Sequence, residues 1–356
     1  MTSNYHIPIV FGQPRQTASD GATILALDIG GTKTDIGLFE VKEQHPVLIQ
    51  ESIYPSGNWP SLEALLEHFL QNIPRPDQLS IAVAGPVING ISKVTNLDWK
   101  IDINHLHEKL SIPNITIIND LEAKAYGLAA LQAEDFLNIY GNLKNASGNA
   151  AIIAPGTGLG EAGLYWDGYG LHPFATEGGH TDFGPRTDLD FGLLRYLQQQ
   201  YAHVSWERVV SGPGIFTIFQ FLDKGLKLKV PPWLRKNLNQ MDPTLAISEG
   251  ARENCFICKE SLNLFVKYLT VEASNLVLKL KATGGLFIGG GIVPKIWNKH
   301  LESVFLEHFF QVGRMRHLVE KVPINLILNP KTALLGAAYY GAFNPESHYS
   351  APIVNV

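Results

Sequence analysis

Asn119 and Asp120 stand side by side at the end of ITIIND (115–120), a short apolar, β-branched run. Such a run reads as a buried strand, and a carboxylate at the C-terminal end of a strand in an α/β sheet faces the crevice where ligands bind. Both residues are also preferred helix caps, and LEAKAYGL follows at once. A cap needs only one side chain, so the pair leaves the other free. In ATEGGHTDFGPR (175–186), Glu177 and His180 bracket two glycines, which remove bulk where a ligand would approach the backbone. HVSWERVVSGPG (203–214) adds Glu207, in the first turn after Ser205 as cap. Singly, each of these reads better as a surface polar group. Together they suit a ligand with several hydroxyls, each donating to an acid or an imidazole, and one carboxylate can act as base on the hydroxyl that reacts.

Two Gly/Thr turns offer complementary chemistry. ILALDIGGTKTDIGLF (24–39) reads as strand, polar turn, strand. Gly30 and Gly31 permit positive φ in a tight turn, and Asp28 is expected at the strand end beside uncovered backbone N–H groups. Successive N–H groups make an anion nest, and a carboxylate next to one suits a phosphate carrying a divalent metal. An ordinary polar hairpin turn is the alternative. AAIIAPGTGLGEAGLYW (150–166) repeats the same order, a weak internal repeat of the kind a duplicated unit leaves. Two such hairpins could grip one polyphosphate. Competing phosphate motifs fail: there is no GxxxxGK[ST], GTGLG is not GxGxxG, and no HRD…DFG set occurs.

The elements that must position these residues alternate between strand and helix, as in an α/β fold. LSIAVAGPV (79–87) and GGLFIGGGIV (284–293) are strands running into Gly turns, and TALLGAAYYGAF (332–343) is a closing apolar helix. Helix is expected for 121–131, for 191–201 and over one long stretch, 245–282; 225–243, with its prolines, is expected to be irregular. The 356 residues suggest about two domains, and the 45% hydrophobic content supports an ordinary core. A net charge of −5 with no basic run argues against nucleic acid or an anionic membrane surface as partner. No run approaches ~18 apolar residues, so no transmembrane helix is expected. The first 20 residues have no signal-peptide pattern and read as a poorly ordered tail. Cys255 and Cys258 form a lone CxxC without a second ligand pair, and two buried reduced thiols in a cytoplasmic protein are expected.

LDIGGTK, NDLEAKAYG, PGTGLGEA, EGGHTDF, HVSWERVVSGPG and GGLFIGGGIVPK occur in the order and context seen in the bacterial glucokinases, which the chain resembles from about Ile24 to Ala342. The resemblance is to the ATP-dependent branch without the Cys-rich zinc motif of the repressor and sugar-kinase (ROK) family, a motif that two cysteines cannot assemble. It implies the actin-like ATPase (ribonuclease H-like) fold of the actin, Hsp70 and hexokinase superfamily, with two α/β domains around a cleft. The divisions expected are a tail 1–22, a smaller domain 23–120 plus 333–346, a larger domain 121–332 and a C-terminal tail 347–356. It implies phosphorylation of D-glucose by ATP with release of ADP. In that scheme Asp120 is the catalytic base and Asn119, Glu177, His180 and Glu207 are sugar ligands. Asp28, Gly30, Gly31 and Thr32 form the first phosphate hairpin, Gly156, Thr157 and Gly158 the second, and Gly289, Gly290 and Gly291 the turn near the adenosine. Mg²⁺ is the implied metal, held by Asp28. Lys33-Thr34-Asp35 stand where the family continues with an Asn-rich segment. A kinase for another hexose or an amino sugar, and a non-catalytic sugar sensor, stay open as alternatives, as does monomer against homodimer.

Overall fold

The computed structural model describes residues 7–11, 18–71, 73–94 and 97–343. It is mixed α/β and divides into two units. The first comprises the described residues up to Asp135, Asp167–Ala175 and those from Asn329 on; the second comprises Phe136–Trp166 and Thr176–Leu328.

The first unit is built on a sheet whose strands lie in the order His45–Pro55, Lys33–Lys42, Thr23–Ile29, Gln78–Val83, Asn114–Asn119. The first three pair antiparallel, and the last two run parallel to Thr23–Ile29. The two central strands, TILALDI and QLSIAV, are covered on both faces and so read as continuous apolar runs. Parallel register puts Ile29 opposite Val83 and Val83 opposite Asn119, so Asp28 and Asn119 finish on the same edge of the sheet.

The second unit repeats this plan. Leu159–Trp166 and Ala150–Pro155 form an antiparallel hairpin, followed by parallel Gly285–Ile288 and Ile324–Ile327, with Phe136–Tyr140 added antiparallel. The repeat hinted at by the two Gly/Thr hairpins is therefore a repeat of sheet topology. The helix Phe256–Leu280 runs through this unit's core with Phe265 and Tyr268 fully buried.

Three expectations change. The stretch 245–282 is two helices, Pro243–Arg252 and Phe256–Leu280, broken where Asn254 takes φ 63°. The segment 225–243 holds a helix, Pro232–Gln240, because proline in the first turn starts a helix and breaks only an interior. The N-terminal segment, expected as a loose tail, is docked where it is described. Ile7 is buried, Leu171 donates its N–H to Pro8 O at 2.7 Å, and Phe11 stacks on Tyr126 and Phe343. Residues 1–6 and 12–17 of that tail, and 344–356 with the expected C-terminal tail, lie outside the described residues. Among the described residues, no helix is long and apolar enough to cross a membrane.

Asp120–Gly127, the helix that follows Asn119, packs on the C-terminal helix Thr332–Phe343 and so stays in the first unit, whereas the sequence reading placed the passage out of that domain directly after Asp120. Glycine makes this packing close: a Cβ on Gly127 would strike Thr332 O, and one on Gly336 would strike Ala123 O and approach Gly127 N to 2.7 Å. Backbone cannot yield as a flexible side chain can, so Gly336→Ala should cost about 1–3 kcal/mol of stability through overpacking. Gly57→Ala, where a Cβ meets nothing within 4 Å, is the control and should stay near wild type in urea unfolding. Equal midpoints for the two variants would refute the close-packing account.

Candidate active site

In the first unit the strand ends carry the chemistry. Asn119 is the cap: its Oδ1 accepts the Leu121 N–H at 2.9 Å, and its Nδ2 donates to Gly85 O at 3.1 Å. One amide hydrogen and one lone pair remain for a ligand. The capping role thus falls to Asn119, and Asp120 becomes the first residue of the helix with its carboxylate free of the cap. Lys124, one turn on, donates to Asp120 Oδ2 at 3.1 Å, both side chains being about one-fifth exposed. Burial alone would lower the Lys124 ammonium, but Asp120 and Asp28 outweigh it and hold the group above its usual pKa. Lys124 escaped the sequence reading, although its i,i+4 spacing from Asp120 signals the pair.

Asp28 is half-buried and finds no hydrogen-bond donor among the described residues. Burial raises its carboxyl to about 6, against the pull of Lys124 and with a further push from Asp120 and Asp35. The adjoining turn does not use the freedom its glycines permit, since neither Gly30 nor Gly31 has positive φ. Gly30 N–H closes it by donating to Lys33 O at 2.9 Å, and Ser56 pins it, its N–H donating to Thr32 O and its hydroxyl to Gly30 O, both at 3.0 Å. The N–H groups of Gly31 and Thr32 donate to no acceptor among the described residues, which is the nest the sequence suggested. Lys33 turns back to Asp35 at 2.6 Å.

The second unit gathers Glu177, His180 and Glu207, expected as sugar ligands, with the turn Gly156–Gly158. Gly156 N–H donates to Gly158 O at 2.8 Å, and Thr157 and Gly158 N–H have no acceptor among the described residues, matching the first turn. Glu207 Oε2 accepts the Leu159 N–H at 3.0 Å and lies against the Cα of Gly158, where a side chain would collide with it. Gly212 N–H donates to Gly156 O at 2.8 Å. The triple-glycine turn joins the same place: Gly289 N–H donates to Ile153 O, and Gly290, at φ +85°, packs its Cα on Pro155 O. Only glycine meets both demands there.

Asp182 and Ser205 form an antiparallel bridge, with Phe183 N–H to Val204 O at 2.9 Å and Trp206 N–H to Thr181 O at 3.0 Å. That bridge brings EGGHTDF and HVSWERV together. His180 and Glu207 line a concavity of about 350 Å³ together with Tyr201, His203 and Arg208. Glu177 and His180 lie 4.0 Å apart on the turn and are mostly exposed, so their polar atoms are open to a ligand. The concavity suits a single hexose-sized molecule. Ser205 precedes the short turn Trp206–Arg208 as expected but makes no capping hydrogen bond with its side chain.

The chain matches the family model described as Glucokinase over residues 25–343. It is 41% identical over 337 residues to a glucokinase of Trichormus variabilis, covering 90% of this chain and 98% of that one. The crystal structure of a glucokinase from an Antarctic psychrotroph matches at TM-score 0.76 and 33% identity, covering 89% of this chain and 98% of that one. A ROK-family glucokinase from Streptomyces griseus, solved with glucose and AMPPNP, matches at TM-score 0.60 and 19% identity over 89% of this chain and 98% of that one, a likeness of fold. The family match spans both hairpins, the Asn119–Asp120 pair, the EGGH turn and Glu207, and on that extent the chain belongs to the glucokinase family.

Proposed function

We propose that the chain transfers the γ-phosphoryl group of ATP to the C6 hydroxyl of D-glucose, with Asp120 as base. Glucose phosphorylation follows from membership of the family; the roles of the residues are the proposal. The observation that carries it is the pairing at Asn119 and Asp120, where one side chain caps the helix and the other is left on its first turn with a carboxylate accessible to a hydroxyl. Phosphoryl transfer has a loose transition state, so the protein chiefly positions the reactants and stabilises charge. The C6 oxygen bonds to the γ-phosphorus as the bond to the ADP oxygen breaks, and the hydroxyl proton passes to a carboxylate oxygen of Asp120. Glu177, His180, Glu207 and the remaining valences of Asn119 fix the sugar. Such fixation can supply up to ~7–11 kcal/mol of the barrier reduction. The N–H groups of Gly31, Thr32, Thr157 and Gly158 are the donors offered to the phosphates, and Gly289–Gly291 the turn offered to the nucleoside.

Mg²⁺ fits the residues present. Asp28 is a hard oxygen donor with no hydrogen-bond donor of its own among the described residues, and its burial favours the protonated form until a cation arrives. No group of three or more His, Cys, Asp or Glu is assembled as a metal cage among the described residues. A site of one carboxylate, phosphates and water is the usual mode for Mg²⁺, which would neutralise charge on the β- and γ-phosphates.

The repeated order of a hairpin and two parallel strands supports the actin-like ATPase fold, with the two units as its two α/β domains. The branch without a ROK zinc motif is supported by Cys255 and Cys258, both buried and unbridged at the start of the helix Phe256–Leu280.

A panel of sugars in an ADP-release assay tests the reading. A site that hydrogen-bonds a hydroxyl rejects the analogue that lacks or misplaces it, because buried polar groups are left unpaired. Glucose should exceed galactose and N-acetylglucosamine in kcat/KM by about 10²-fold or more. Equal turnover of either would assign the chain to a different sugar.

A further inference from the structure

We propose that Glu161 is a positioning residue for the turn Glu177–His180, its buried carboxyl acting as the seat on which Gly178 rests and so setting Glu177 and His180. The proposal rests on the reading of Glu177 and His180 as sugar ligands. Glu161 lies on the strand Leu159–Trp166 and is 1% exposed. Neither carboxyl oxygen has a hydrogen-bond partner among the described residues. One of them, Oε2, lies so close beneath Gly178 that a Cβ there would collide with it. The main chain of Glu161 holds the same turn: its carbonyl accepts the Thr176 hydroxyl at 2.9 Å, and that hydroxyl oxygen accepts the Gly178 N–H at 3.2 Å. Gly179 rests in turn on the carbonyl of Leu159. The turn Glu177–His180 is thus laid across two consecutive inward positions of one strand, with an acid under its centre.

A carboxylate in that place, buried and unpaired, would be costly, whereas a neutral acid is tolerated. The charged groups around it favour the neutral form on balance. Glu272 and Lys279 face it from the helix Phe256–Leu280, and they are paired with each other at 2.9 Å, with Asn275 donating to Glu272 as well. From the turn itself come Glu177 and His180, both largely in solvent. Burial first, and then Glu272, push Glu161 up to about 8 against the pull of Lys279. Near neutral pH the seat is therefore uncharged, and above pH 8 it acquires a charge that must recruit water or displace Gly178.

Glucose KM and kcat measured from pH 7 to 9.5 test this. In the wild-type protein KM should rise above pH 8, approaching tenfold per pH unit, with kcat changing much less. Glu161→Gln, a neutral amide of the same shape, should keep the wild-type KM at pH 7 and hold it nearly flat to pH 9.5. Glu161→Ala, which empties the space under Gly178, should raise KM at every pH. A wild-type KM that is flat over this range, or an alkaline rise that survives in Glu161→Gln, overturns the proposal. Glu177→Gln separates it from the reading beneath it: an unchanged glucose KM in that variant removes the sugar role of the turn, whereas a raised KM there with no effect of Glu161→Gln on the alkaline limb removes the seat alone.

Discussion

Asp120→Asn should lower kcat by ~10²–10⁴ and leave glucose KM within a few-fold of wild type, in steady-state assays at saturating ATP. Asparagine keeps the size of the side chain and its capacity to hold a hydroxyl, but has no carboxylate oxygen to take the proton. The structure makes this a clean substitution. The cap of the helix Asp120–Gly127 is Asn119, so the helix start survives. What is lost besides the base is the i,i+4 pair with Lys124, a largely buried ammonium left with Asp28 as its neighbouring carboxylate, so a lowered unfolding midpoint accompanies the loss of kcat and is measured alongside it. A variant that keeps more than a tenth of wild-type kcat would reduce Asp120 to a residue that orients the sugar. A large fall in glucose affinity with kcat preserved would do the same from the other side.

Much of this site was legible because its parts are local. A β-branched run ending in Asn-Asp, or two apolar runs around Gly-Gly-Thr, declare a strand end and a hairpin from spacing alone, and the strands Asn114–Asn119, Thr23–Ile29 and Lys33–Lys42 lie there. Contacts over long separations were not legible. The pinning of the first turn by Ser56, 26 residues from Gly30, depends on strand His45–Pro55 returning along Lys33–Lys42, and nothing near Gly30 in sequence announces it. Gly30 and Gly31 take no positive φ, and the turn is braced from outside by Ser56. Glu161 hid for a different reason. In GEAGLYW an acid beside a glycine reads as a solvent-facing residue of an alternating strand, and it is the turn Glu177–His180 and the helix Phe256–Leu280, both distant in sequence, that meet the carboxyl. The docking of Ile7 to Phe11 was missed because it relies on a single-residue bridge to Leu171 and on aromatic rings from two distant helices. Composition says nothing of which acid ends up beneath which glycine.

Glu207 should be the residue through which sugar and nucleotide affinities are linked, because one carboxylate serves two neighbours. Its Oε2 holds the Leu159 N–H at 3.0 Å, at the end of the turn Gly156–Gly158, and the same side chain lines the concavity with His180. Glu207→Gln keeps an acceptor for Leu159 while exchanging the other oxygen for an amide that cannot accept a sugar hydroxyl proton. Replacing a charge-assisted hydrogen bond in this way costs about 1.5–3 kcal/mol, which is roughly 10–150-fold in kcat/KM for glucose. KM for ATP should stay close to wild type, since the turn keeps its support. Glu207→Ala removes both partners. The buried Leu159 N–H then goes unsatisfied, a further penalty of about 1–3 kcal/mol, and the space against Gly158 lets the turn relax. Alanine should therefore lower kcat/KM for glucose by ~10³-fold or more and, unlike glutamine, raise KM for ATP as well. The distinguishing measurement is KM for ATP at fixed, saturating glucose in the two variants. If alanine and glutamine give the same value, Glu207 is a sugar ligand alone and the phosphate turn owes its shape to Gly212 and the strand pairing at Pro155 and Leu159.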